Sequence, residues 1–280
     1  MSSTESKEVM NDQKICDAHI HLFPERLMGS ILDWFVERGW TMPYRQPSET
    51  LLNYLENSGV TSAFVLGYIH KKDMAAGINL WLKVLCETYP WLHPFAAIHQ
   101  DDTELEKILS QALDEWNFPG VKIHTFVQNV AANDERLWPM YRMLNERRKG
   151  VILHISSLPI ETPNTRVDSL LDVLKSFPNL KVTIAHMGLP DDFTLAVKLA
   201  SNYPNVYLDT AYILGNPRFP LQEDWLQAID ANPTKFIFGT DFPIMDYSPR
   251  DAIQAVNLLP LRQEVKAQLL WDNAMRFLEL

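Results

Sequence analysis

Short apolar runs alternate with amphipathic stretches along nearly the whole chain. The runs fall at 15–21 (ICDAHIH), 61–67 (TSAFVLG), 92–98 (LHPFAAI), 119–124 (PGVKIH), 150–155 (GVILHI), 181–187 (KVTIAHM), 205–210 (NVYLDT) and 235–240 (KFIFGT). Most are β-branched and apolar at successive positions, the pattern of strands covered on both faces of a parallel sheet. Helical periodicity occupies 48–57, 74–88, 103–116, 134–148, 165–177, 191–202, 221–230 and 250–259. Ser48 precedes the apolar repeat Leu51, Leu52 and Leu55, and Gly59 follows it. Pro90, Pro178 and Pro204 stand just beyond helices, where a chain that must leave the helix often carries proline. Eight strand-then-helix units predict an α/β fold, a single (β/α)8 TIM barrel, with an open doubly wound sheet as the alternative. The segment 22–47, inserted after the first strand, is longer than a tight connection and carries Trp34, Phe35, Trp40 and Tyr44. A lid, an extra surface helix and a homodimer contact all fit it. Residues 1–14 are polar and mixed in charge and read as a flexible tail; no linker or repeat divides 15–280.

Composition narrows the function classes. A chain of 280 residues that is 46% hydrophobic can bury a large core, which excludes a disordered or fibrous protein. Lys and Arg number 25 against 35 Asp and Glu, a net charge of −10, so a nucleic-acid scaffold or an anionic-membrane binder is not expected. Cys16 and Cys86 form no disulfide framework and read as buried thiols in a reducing compartment. With no signal-peptide pattern and no apolar run near about 18 residues, the expectation is a cytoplasmic protein acting on a small molecule. No G-x-G-x-x-G follows a strand and there is no P-loop.

Candidate chemistry collects where strands end. His19, His21, His70, His99, His124, His154 and His186 lie in a predicted strand or within three residues after it; Asp209 and Asp241 stand at the ends of the last two. A parallel barrel brings those ends to one face, where the active site is built. Asp17, His19 and His21 are two apart, so the spacing predicts one shared face. Such an H-x-H serves a metal, or is simply a pair of hydrogen-bonded imidazoles. His154 sits inside an apolar run, VILHIS, and Asp241 directly follows one, FGTDFP; an unpaired buried carboxylate there would be costly. Imidazoles with a carboxylate suit Zn²⁺ first, with Mn²⁺ or Fe²⁺ as alternatives, and leave a position for water whose pKa falls toward about 7. A histidine off the metal could polarise a carbonyl or carry the proton.

The set Asp17-Ala-His19-Ile-His21, Lys122, His154, His186 and Thr240-Asp241 resembles the amidohydrolase superfamily. Within it the chain is most similar to the amidohydrolase-2 group of TIM-barrel metal-dependent hydrolases and non-oxidative decarboxylases. The resemblance runs from about residue 15 to the C-terminus and includes the ending WDNAMRFLEL. It implies one divalent metal ion at His19, His21, His154 and Asp241, with Asp241 as ligand or as acceptor of the proton of metal-bound water. His186 would be the acid/base beside the metal. Lys122 and His124 share a face and are expected to contact substrate; for Lys122 a bridging carbamate or an ion pair with a neighbour such as Asp17 is the alternative. The implied activity is hydrolysis of a small amide, ester or lactone. Non-oxidative decarboxylation of an aromatic or unsaturated acid is the alternative, for which Arg45, Arg166, Arg218 and Arg250 are candidate carboxylate-binding cations. A barrel that binds a metal or ligand without turnover is the third reading.

Overall fold

Each of the eight apolar runs forms a strand: β1 Cys16–Ile20, β2 Ser62–Leu66, β3 Leu92–Ala97, β4 Gly120–His124, β5 Gly150–His154, β6 Lys181–Ile184, β7 Val206–Asp209 and β8 Phe236–Ile237. They come from a computed structural model that describes residues 13–158 and 160–280. The tail read over 1–14 therefore lies, apart from its last two residues, outside the described residues. Every strand pairs in parallel with its neighbour in sequence, in the order β1 to β8. The ring closes because the Ala18 N–H donates to Phe238 O at 2.9 Å and the His21 N–H to Phe242 O at 2.8 Å. The architecture is a (β/α)8 TIM barrel, as the periodicity predicts. Among the described residues no helix is long and apolar enough to cross a membrane.

The barrel interior shows a phase change that the spacing did not reveal. Cys16, Ala18, Phe64, Leu66, Phe95, Ile152, Tyr207 and Ile237 pack as one inner layer around Phe277 of the last helix, Asn273–Leu278. Simple alternation would then put Ile20 inside. Instead the β1–β2 register shifts between Asp17 and Ile20, and Ile20 joins the outer apolar layer. The irregularity turns His19 and His21 inward at the top of the barrel. Asp17 does not share their role: its carboxylate accepts from Thr240 Oγ1 at 2.5 Å and Thr240 N at 2.9 Å, tying β1 to the end of β8. The last helix is anchored by Asn273, whose Nδ2 donates to Phe236 O at 2.7 Å.

Close packing at the lower end of the barrel depends on glycine. A Cβ on Gly120 would sit 2.0 Å from Gly150 O and 2.9 Å from the Phe95 ring. Gly120→Ala is therefore expected to destabilise by roughly 1–3 kcal/mol or more through overpacking. Gly77→Ala, in the helix Ala75–Thr88 with nothing within 4 Å, should be neutral or mildly stabilising. Urea unfolding of the two variants side by side checks the contrast.

The inserted segment forms a helix, α1 Glu25–Val36, before α2 Ser48–Asn57. Phe35 and the following Trp40 wall the cavity above the histidines, so this segment covers the site.

Candidate active site and metal centre

Four imidazoles and one carboxylate meet at the top of the barrel. The ligand atoms of His19, His186 and Asp241 all lie within 4.8 Å of one another. Asp241 Oδ1 is 3.1 Å from His21 Nε2 and 3.3 Å from His19 Nε2. His186 Nε2 is 3.1 Å from His154 Nδ1. The sequence-predicted residues His19, His21, His186 and Asp241 thus converge directly, and His154 joins through His186. Both His186 (φ 57°) and Asp241 (φ 73°) hold left-handed backbone, a conformation that non-glycine residues keep only when their surroundings impose it. Here the His186 N–H donates to Asp209 Oδ1 at 2.9 Å and the Asp241 N–H to His19 O at 2.8 Å.

The outer nitrogen of each ring faces an acceptor, a backbone carbonyl for three of them and the ionised Asp209 carboxylate for His19. His19 Nδ1 meets Asp209 Oδ2 at 2.9 Å, His21 Nδ1 meets Leu66 O at 2.9 Å, His186 Nδ1 meets Ala211 O at 2.9 Å and His154 Nε2 meets Leu158 O at 2.6 Å. Each outer nitrogen must carry its ring's hydrogen, which leaves a lone pair on every inner one. Those lone pairs face each other at 3.2 Å (His19 to His21) and 3.1 Å (His154 to His186). Such a set is satisfied by a cation between the rings, and outer-nitrogen partners of this kind orient metal-bound histidines. The donor set therefore fits a divalent metal ion.

Electrostatics agree. Burial, with Lys122 adding to it, holds the His19 pKa well below its usual value, and burial does the same to His124 and His154. Neutral imidazole is the ligating form. Burial pushes the Asp241 carboxyl up, and what brings it below the ordinary range is a hydrogen bond and positive charge on the His21 and His19 side, the place that a cation between neutral rings would fill. Burial raises the Asp17 pKa to about 7 in spite of its hydrogen bonds, and raises Asp209 as well.

Lys122 and His124 separate in the structure. Lys122 is 0% exposed, its Nζ lies 3.2 Å from His19 Nε2, and it does not line the cavity. Burial lowers its pKa to about 8, partly offset by Asp209 and Asp241. It stands beneath the cluster as a buried cation beside those carboxylates, with Asp17 engaged elsewhere. His124 does line the cavity and stacks on His154 with ring centroids 3.8 Å apart. His70 lines a neighbouring space, whereas His99 lines neither.

The cavity over the cluster, about 30 Å³, is bounded by His21, His124, His154, His186 and Asp241 below, and by Phe35, Trp40, Tyr68 and Tyr212 above. The two tyrosines were missed in the sequence, although Tyr68 and Tyr212 follow β2 and β7 by two and three residues and obey the positional rule used for the histidines. None of the four candidate arginines lines it. Arg45 pairs with Asp33, Arg166 with Asp192 at 2.8 Å, Arg218 with Asp246 at 2.6 Å, and Arg250 donates to Asn57 O at 2.7 Å.

A barrel with histidines and an aspartate at the strand ends defines a class of metal-site enzymes, and comparison with known proteins agrees. Residues 16–280 match the amidohydrolase family, of the amidohydrolase-2 type, and the chain belongs to that enzyme family. Solved structures with the same fold include an uncharacterised TIM-barrel protein from Bordetella bronchiseptica, at 21% identity and TM-score 0.75, covering 95% of this chain and 98% of that one. A 5-carboxyvanillate decarboxylase from Sphingomonas paucimobilis matches at 12% identity and TM-score 0.73, over 96% of this chain and 100% of its own. A dihydroxybenzoic acid decarboxylase from a Polaromonas species, with bound manganese and the inhibitor 2-nitroresorcinol, matches at 16% identity and TM-score 0.72, over 96% and 97%.

Proposed function

We propose that the chain is a metal-dependent, non-oxidative decarboxylase of aromatic carboxylic acids. The observation that carries this reading is the lining of the cavity: the flat rings of Phe35, Trp40, Tyr68 and Tyr212 border the same space as Asp241 and the His154–His186 pair, which sets an aromatic acid beside the metal-binding groups and a proton carrier. The carboxyvanillate and dihydroxybenzoic acid decarboxylases of the same fold add support.

A divalent cation would be held by His19, His21 and Asp241, with the fourth ligand from the His154–His186 pair, and supplies positive charge beside the bound carboxylate. This donor set suits Zn²⁺ or Mn²⁺. The ring of the pair that stays off the metal keeps its outer hydrogen and takes a second proton from solvent at its inner nitrogen when the substrate carboxylate binds beside it. That proton is delivered to the ring carbon bearing the carboxylate; the carbon–carbon bond then breaks, its electrons stay with the ring and CO₂ leaves. Phe35, Trp40, Tyr68 and Tyr212 orient the substrate and exclude water.

Protein loaded with Zn²⁺ or Mn²⁺ in D₂O is expected to release CO₂ from hydroxybenzoates and to place one deuterium on the carbon that lost it. Chelation should abolish the reaction. His154→Asn and His186→Asn divide the pair: the variant that loses metal identifies the ligand, and the one that keeps metal but loses turnover identifies the proton carrier. The second reading, hydrolysis of a small ester, amide or lactone, is favoured by Asp241, a carboxylate kept ionised where it could take a proton from water. Lactone or ester hydrolysis with every acid untouched would replace the decarboxylase reading.

A further inference from the structure

Beside the polar cavity lies an apolar compartment of about 400 Å³ under α1, walled by Leu27, Ile31, Trp34, Phe126 and Val127. Phe35, Tyr68 and His124 line both spaces, so the two are adjoining chambers that share a wall. No Asp, Glu, Lys or Arg lines the larger one. Its size falls in the range of small-molecule sites, which are mostly apolar with a few placed polar groups. The smaller chamber, at about 30 Å³ against about 400 Å³, takes the lesser part of a substrate. A substrate confined to it would leave the larger one filled with water against aromatic and aliphatic walls.

The shared wall also carries an unsatisfied group. His124 is buried, and among the described residues its Nδ1 has no hydrogen-bond partner. An oxygen substituent on a ligand that crosses the boundary would meet this ring, and a modest reorientation of it would satisfy both.

We infer that the compartment under α1 is the specificity subsite: it takes the apolar body of an aryl acid larger than a single ring, while the carboxylate enters the polar cavity. The inference rests on the proposed reaction for the placement of the carboxylate, and on the paired chambers for the size of the rest. Removing the second ring from water at roughly 25 cal/mol per Å² favours such acids over benzoate.

The test is binding of benzoate, 2-naphthoate and 4-biphenylcarboxylate to the metal-loaded protein, by calorimetry and by quenching of Trp34, assigned with Trp34→Phe. The two-ring acids are expected to bind at least about tenfold more tightly than benzoate. Val127→Trp fills the compartment and should reduce that preference to about threefold or less. Ser30→Trp, at an exposed position on the same rim, is expected to act alike and keeps the test intact should the Val127 variant not fold. Equal binding of one-ring and two-ring acids, or a preference untouched by filling, overturns the inference. Two-ring acids that bind preferentially while no acid releases CO₂ would leave the subsite standing and remove the decarboxylase reading. Benzoates decarboxylated without any size preference would do the reverse.

Discussion

Asp241→Asn is expected to lower turnover by about 10²–10⁴-fold, the several kcal/mol that a bound cation supplies to the transition state, and to lower metal retention at the same time. The substitution keeps shape and removes charge. Asp241 is the carboxylate whose Oδ1 lies within 3.3 Å of both His19 and His21, so its loss leaves the proposed cation among neutral rings alone. The fold should survive, because the residue sits at φ 73° and asparagine is among the few side chains that adopt this region readily. Metal analysis, a thermal melt and turnover on one preparation separate these effects. An asparagine variant that keeps its metal and more than a tenth of its activity would remove Asp241 from the mechanism.

Acid should destabilise the metal-free protein well above the range where carboxylates ordinarily titrate. Burial holds His19, His124 and His154 neutral far below their usual pKa, whereas in the unfolded chain each takes up a proton near 6.5. Their stabilisation is therefore present above about pH 6.5 and is lost as the pH falls toward the depressed folded values. Each contributes up to about 1.4 kcal/mol per pH unit. Two carboxyls oppose them: Asp17, raised to about 7, and Asp209, also raised. A carboxyl protonated only in the folded state gains stability as the pH falls, so three protons taken up by the unfolded chain stand against at most two by the folded one. The difference approaches one proton, a loss of about 1.4 kcal/mol per pH unit, only about a unit below 6.5, where the unfolded histidines are nearly fully protonated. Urea midpoints at pH 6.0 and 5.0 check the sign; an equal or higher midpoint at pH 5.0 would mean that these rings are not held neutral. Metal should be retained through this window while the fold holds, because the buried rings stay neutral, and be lost only where they protonate or the chain unfolds.

The two predictions draw on different parts of what could be read without a structure. Asp241 announced itself as an acidic residue directly after a buried strand. The depressed histidines could be located along the chain, but their neutrality follows from burial beside Lys122, and Lys122 illustrates the limit. Its place on β4 was legible, yet nothing local distinguishes a lysine that reaches substrate from one sealed beneath the cluster. The inserted segment is a similar case: its aromatic content fits a lid, a surface helix or a dimer contact equally. Only its packing makes Phe35 and Trp40 walls of the site.

By itself the amino-acid sequence determined the eight strand-and-helix units, the barrel they close into, and the gathering of His19, His21, His154, His186 and Asp241 at one end. These follow from periodicity along a few residues, and a parallel barrel turns such local phase into a common face. Tertiary structure decided the rest. It introduced the shift in β1 that turns His19 and His21 inward and gives Asp17 to Thr240 instead. It set Asp209, Leu66, Ala211 and Leu158 behind the four rings, placed the ligand atoms of His186 and Asp241 within 4.8 Å of each other, and opened the apolar compartment under α1. The physical reason is the same in each case: these are distances between side chains on different strands and loops, set by register, closure and packing, which no single stretch of the chain encodes.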